Sequence, residues 1–312
     1  MEKRKIIIDT DCGSDDAMAI AMALNDERYE ILFFSVCAGN VSAEQAVINT
    51  LTTLEKAGSY EPPVYLGSVK PLVRELAYAH ETHGMDGMGD IGLVPARLKV
   101  TPGNGILKTI EALENSERGE IEIIALGPLT NLALAIRTAP DAMAKVRRIS
   151  VMGSAGLGVG NVSPVAEFNI WQDPEAAKIV FESGLPLLVV GWDACLDDAM
   201  LNKREIERLR NSGELGRFAV DCNRCLLEMN QWRFGDPCLD MADPAALAAA
   251  LCPECIETCA DYYCEVDTSD GISCGAVHVD VYGFSGKQPN ASVCSKLKSE
   301  IYKEYIFKTL GA

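Results

Sequence analysis

Positive charge is scarce in this chain. Lysine and arginine total 28 against 45 aspartates and glutamates, a net charge of −17 over 312 residues. That excess disfavours nucleic acid and anionic membranes as partners. Histidine is scarcer still. His80, His83 and His278 are the only three, so few imidazoles are available for proton transfer. Long apolar runs are also missing, and the longest fall far short of a membrane span. The opening MEKRKIII has a short basic start but no apolar stretch or cleavage site of a secretory signal. A cytoplasmic protein is the default expectation. No linker, repeat or shift in composition divides the chain, so one domain over 1–312 is expected.

Apolar residues are plentiful, at 48% of the chain, and suffice for a sizeable core. Cysteine is plentiful too, with twelve spread over the whole length. Cys222 with Cys225, and Cys252 with Cys255, Cys259 and Cys264, invite a zinc or iron–sulfur reading. No histidine lies near them. Reduced thiols packed as small apolar side chains are the favoured reading.

The pattern along the chain alternates. Strands are expected at 5–9, 29–38, 64–66, 120–126, 148–153 and 186–190, with late ones at about 259–267 and 276–282. Helices are expected at 15–24, 43–57, 103–115, 129–136, 174–183, most of 204–230, 244–251 and 292–309. The stretch HETHGMDGMGDIG reads as a long loop over something, and residues 154–164 as a Gly-rich loop. Strand–helix alternation of this kind implies an α/β fold: a mostly parallel, Rossmann-like sheet flanked by helices. In such sheets the site lies outside the C-terminal ends of the strands. The polar clusters fall there: 9–16 after the first strand, Gly39 and Asn40 after the second, Gly127 and Gly153 after later ones.

The first of these clusters reads KIIIDTDCGSDDAMAI, with Asp9, Asp11, Asp15 and Asp16 at a strand-to-helix turn. Like charges at this spacing repel, and no cationic side chain lies among them. Two of the four have a simple alternative as caps of the following helix. All four are better explained by a bound hard cation. The spacing is not that of an EF-hand loop, since Gly13 stands fifth counting from Asp9. A phosphatase of the haloacid dehalogenase type also places an Asp-x-Asp pair after its first strand and uses magnesium. Gly13 stands where that type carries Thr or Val, which leaves it as the alternative.

With DTDCGSDDAMAI in view, the chain resembles the inosine–uridine preferring nucleoside hydrolases. Their opening motif is Asp-Thr-Asp-Pro-Gly-x-Asp-Asp-Ala, here with Cys12 at the proline. VCAGNVSAEQAVINTLTTLE, the Thr82-His83-Gly84 stretch with Gly87, ALGPLTNLA, GNVSPVAEFNIWQDPEAA and ADPAALAAAL resemble further blocks in the family's order. The resemblance implies hydrolysis of the N-glycosidic bond of a ribonucleoside to ribose and free base, within nucleoside salvage. It implies Ca2+ on Asp11, Asp16, the carbonyl of Leu126 and Asp243, with Asp9 orienting these ligands from behind. It implies ribose binding by Asp15, Asn40, Met152, Asn161, Glu167, Asn169 and Asp243. Asp11, Asn40 and His83 are the implied catalytic residues, with Asp11 taking the proton of a calcium-bound water. It further implies a homodimer or homotetramer.

Taken alone, the stretch NVSPVAEFN is equally readable as a helix entry with turn residues. Beside the aspartate cluster it reads as polyol recognition. A developing cation at C1′ suits an acidic pocket. One departure matters. Many family members carry histidine before the late aspartate, and here that residue is Ala242. Trp192, Trp232 and Arg233 are the alternative groups to stack on or polarise a base. Cys12 is expected to be structural, and His278, in an expected strand, is discounted. A chain that binds nucleosides without turning them over is the non-enzymatic alternative.

Overall fold

A computed structural model describes residues 3–312. Among the described residues, twelve strands form in chain order: β1 Arg4–Thr10, β2 Tyr29–Val36, β3 Val64–Leu66, β4 Ile121–Ala125, β5 Ile149–Met152, β6 Leu187–Val190, β7 Leu201–Asn202, β8 Cys238–Leu239, β9 Ile256–Tyr262, β10 Cys264–Val266, β11 Val277–Val279 and β12 Ala291–Leu297. Eight of them make one sheet in the order β3-β2-β1-β4-β5-β6-β12-β9. All neighbours in it run parallel except β12 and β9. The expected α/β architecture is therefore present.

The central strands β1, β4, β5 and β6 are buried on both faces, which is why they read as continuous apolar runs. Ile6 and Ile8 face one core, with the helices Ser14–Leu24, Ala242–Leu251 and Ser299–Thr309. Ile7 and Ile123 face the other, with the helices Gly105–Glu114, Thr130–Thr138 and Pro174–Phe181. The alternation follows from the two-residue period of a strand.

The chain first builds outward, from β1 to β2 to β3. It then crosses back to lay β4 against the other side of β1. The segments leaving β1 and β4 diverge to opposite sides. A crevice opens between them at the C-terminal ends, where the order switches. Asp9, Asp11 and Leu126 all stand there.

Four sequence expectations need correction. The closing helix begins at Ser299, not 292, because residues 291–297 form β12 between β6 and β9. Val293 and Cys294 of this strand face opposite cores, and the lysines that suggested a helix lie mostly beyond it. The long helix over 204–230 is three helices: Lys203–Arg210, Glu214–Asp221 and Arg224–Phe234. Ser212 and Gly213 interrupt the first pair, since glycine ends helices readily. The strand at 259–267 is instead β9 and β10, broken at Tyr263. That at 276–282 shrinks to β11, because the loop after it is held by Asp280 accepting from the Phe284 and Ser285 amides. Among the described residues, no helix is long and apolar enough to cross a membrane. All the cysteines are unpaired, and all but Cys225 and Cys259 are buried.

Candidate active site

The cleft at the switch point encloses about 500 Å³. Its floor is the turn from β1 into the helix Ser14–Leu24. Carboxylate oxygens of Asp15, Asp16 and Asp243 all lie within 4.8 Å of one another, and all three residues are buried. Asp11 stands beside this triangle at 0% exposure. Its Oδ2 accepts from the Asn40 amide at 2.7 Å, while its Oδ1 has no partner. Gly39 and Gly127 let the ends of two neighbouring strands close on Asp11. A Cβ on either would sit 2.1 or 2.6 Å from its carboxylate oxygens.

These carboxylates are at odds with their surroundings. Burial, then the charges of Asp16 and Asp15, push Asp11 well above the usual carboxylate range. Burial and the charges of Asp15 and Asp16 do the same to Asp243. Burial and Asp15 raise Asp16, and burial lifts Asp15 to about 6. An orphaned, fully buried oxygen beside three clustered carboxylates fits a hard divalent cation, which would reverse every one of these shifts. Asp16 is held by the Thr10 hydroxyl, the Gly13 amide at 2.8 Å and the Asn40 side chain at 3.3 Å. Asp9 sits behind, accepting from Asn131 at 2.9 Å, and its burial raises it to about 7.

The helix Phe168–Gln172 supplies a second wall. Glu167 caps it, accepting from the Asn169 and Ile170 amides, and also accepts from the Ser154 amide. Burial lifts Glu167 to about 7. Asn169 donates to the carbonyls of Leu126 at 2.7 Å and Met152 at 3.3 Å. Asn161 turns its Oδ1 to the Phe168 amide and also lines the cleft. Asp15, Asn40, His83, Leu126, Met152, Asn161, Glu167, Asn169 and Asp243, expected from sequence, thus line one cleft, with Asp11 and Asp16 in its floor. The triangle draws on Asp15, expected as a sugar ligand, where Asp11 was expected.

Other side chains of the cleft are of different make. His83 lies on the single turn His80–His83, buried, with Nδ1 2.8 Å from Ser14 Oγ and 3.7 Å from Asp15 Oδ1. Burial lowers its pKa to about 4. Trp192, Arg233 and Ala242 also line the cleft. Trp232 does not: it is 85% exposed on the outer side of its helix. His278 lies outside the cleft as well, on β11 near Asp267. Asp240, at the end of β8, was missed from sequence. It is buried, accepts from Trp192 Nε1 at 3.1 Å and from Asn230, and has no motif of its own. Its one signal is an acid directly after a short apolar strand.

The family described as inosine-uridine preferring nucleoside hydrolase matches residues 6–304. The chain belongs to that family. As a nucleoside hydrolase it is a glycosidase of the N-ribosyl class, which sets aside the phosphatase alternative. It is 36% identical over 293 residues to the pyrimidine-specific ribonucleoside hydrolase RihA of Salmonella agona (strain SL483), covering 92% of each chain. To the pyrimidine-specific ribonucleoside hydrolase RihB of Escherichia coli (strain K12) it is 34% identical over 298 residues, covering 94% of this chain and 92% of that one. Among solved structures, the plant nucleoside hydrolase PpNRh1 superposes with a TM-score of 0.91 at 32% identity over the whole of both chains. A purine-preferring ribonucleoside hydrolase from Gardnerella vaginalis superposes at 0.90 with 27% identity, covering 99% of this chain and 98% of that one. This nucleoside hydrolase carries a buried aspartate cluster able to hold the metal on which the family depends.

Proposed function

We propose that the protein hydrolyses the N-glycosidic bond of ribonucleosides, with calcium held by Asp11, Asp16, Asp243 and the Leu126 carbonyl. The observation that carries this reading is the buried Asp11 Oδ1 without a partner, beside three crowded carboxylates that open onto a cleft. When bound, calcium supplies a Lewis acid for the ribose diol and makes water easier to deprotonate. The protein's own groups do the rest. Asp11 accepts the proton of the attacking water at a carboxylate oxygen. Asp15, Asn40, Asn161, Glu167 and Asn169 bind the sugar hydroxyls and fix C1′, with Met152 and Asp243 completing the pocket. The acidic floor stabilises the positive charge that grows on C1′. His83, beside Asp15, reaches the base as a further catalytic residue. With RihA and RihB as relatives, pyrimidine ribonucleosides are the first substrates to try. A cytoplasmic homodimer or homotetramer serving nucleoside salvage completes the proposal.

The test is a panel of ribonucleosides and p-nitrophenyl phosphate, with and without chelator, assayed for reducing sugar and phosphate. Sugar release that chelator abolishes, calcium restores and Asp11→Ala removes is the expected result. Nucleoside binding with no sugar released would instead support the non-enzymatic alternative.

A further inference from the structure

Every ionised side chain the sugar needs is negative, yet the departing base needs the opposite. When the C1′–N bond breaks, its electron pair leaves on the base. The water oxygen makes the new bond to C1′, and one of the water's protons ends on the base nitrogen. Until that proton arrives, the base carries negative charge. Of the described residues lining the cleft, Arg233 is the only lysine or arginine.

Arg233 is held from several sides. Its guanidinium carbon lies 5.3 Å from the centre of the Trp192 ring and 5.9 Å from that of Phe234. Nη1 is 3.9 Å from Asp240 Oδ2, and Nη2 is 3.5 Å from Met229 Sδ. The same Asp240 Oδ2 accepts from the Trp192 indole, and Asn230 holds Oδ1. Trp192 is tied in turn, its amide donating to the Ser154 carbonyl at 2.9 Å. Asp240 is only 4% exposed. A buried carboxylate is a poor way to fill space, since an apolar side chain of similar volume packs there without desolvation. Here it holds the indole by a hydrogen bond and faces the guanidinium that lies over the indole ring.

We propose that Arg233 is the catalytic residue that stabilises the departing base, and that Asp240 and Trp192 are the positioning residues that aim its guanidinium. Arg233 keeps its protons and donates hydrogen bonds to acceptor atoms of the base as negative charge builds there. The indole offers the base an apolar face beside the cation. This inference rests on the ribonucleoside hydrolase reading above.

The experiment compares two leaving groups in the calcium-supplemented, full-length protein. Uridine has a poor leaving group, whereas the phenolate of p-nitrophenyl β-D-ribofuranoside leaves without help. Arg233→Ala should lower kcat on uridine by about 100-fold or more, and this loss should exceed that on the phenyl riboside at least about tenfold. Asp240→Asn should show the same split with a smaller loss. Added guanidine should restore part of the uridine activity of Arg233→Ala, which a merely structural defect would not allow. Equal losses on both substrates, or full uridine activity in Arg233→Ala, would overturn the inference. Wild-type protein that cleaves neither substrate would overturn the hydrolase reading itself, and this inference with it.

Discussion

The two ends of the cleft are built on opposite principles. On the proposed reading, the sugar end gathers Asp11, Asp15, Asp16 and Asp243 with no cation among them; burial pushes all four up, and neighbouring carboxylates push them further. The base end pairs one buried carboxylate, Asp240, with an indole and a guanidinium. The first arrangement is incomplete without something positive from outside the chain. The second carries its own positive charge. On the proposed reading, an acidic floor suited to a developing sugar cation works against a departing base, so a separate group of side chains serves the base.

Mutations should separate the two ends. The largest effect belongs to the sugar end: Asp11→Ala should lower kcat by about 10³-fold or more in steady-state assays of ribose release. Removing the diol comes next. Deoxyuridine should be cleaved about 100-fold more slowly than uridine, because buried groups built for the 2′-hydroxyl are left unpaired. Comparable rates would break the idea that the acidic floor grips both hydroxyls. At the border between the ends, His83→Ala should slow uridine hydrolysis about tenfold, an intermediate loss.

Stability offers a further contrast. Asp9 and Glu167 titrate near 7 in the folded protein, against ordinary values of 3.8 and 4.5. The folded state therefore keeps protons that the unfolded chain releases as pH climbs from about 4 to 7. Without calcium, the stabilisation present below the unfolded values is lost as pH rises through the folded ones. The melting temperature should fall by at least about 5 °C over that range. Added calcium favours ionised carboxylates and should flatten this slope, as differential scanning calorimetry can show. The smallest effect is expected of Trp232→Ala. That side chain is 85% exposed, and uridine kcat should stay within about twofold of wild type.

Legibility in the sequence divides along the same line. The aspartates at 9–16 lie within eight positions, so their repulsion is visible without coordinates. Gly39 and Gly127 follow strands, and their need to pass close to Asp11 explains them. Glu167 and Asn169 lie two residues apart and act through one helix start. The base end is different. Trp192 follows β6, Arg233 lies on a helix after a break at 222–223, and Asp240 follows the two-residue strand β8. Nothing local links them. Trp232 and Arg233 are neighbours in sequence, yet the helical turn of about 100° per residue sends one to solvent and the other into the cleft. The strand β12 was hidden for a related reason. Its short apolar alternation matters only because β6 and β9 leave a slot between them.

What the order of residues settles is the alternation of strand and helix, the apolar runs that must be buried on both faces, and the crowd of carboxylates after the first strand. These depend on short-range periodicity and on charge spacing, both of which are local quantities. What folding alone settles is which long-range partners meet. Asp243 comes to Asp15 and Asp16 across more than two hundred residues, and Asp240 joins Trp192 to Arg233. Those meetings follow from the crossover that sets β4 beside β1 and from the helices packed over the strand ends. Close packing of distant segments, rather than any local preference, brings those groups within interaction distance.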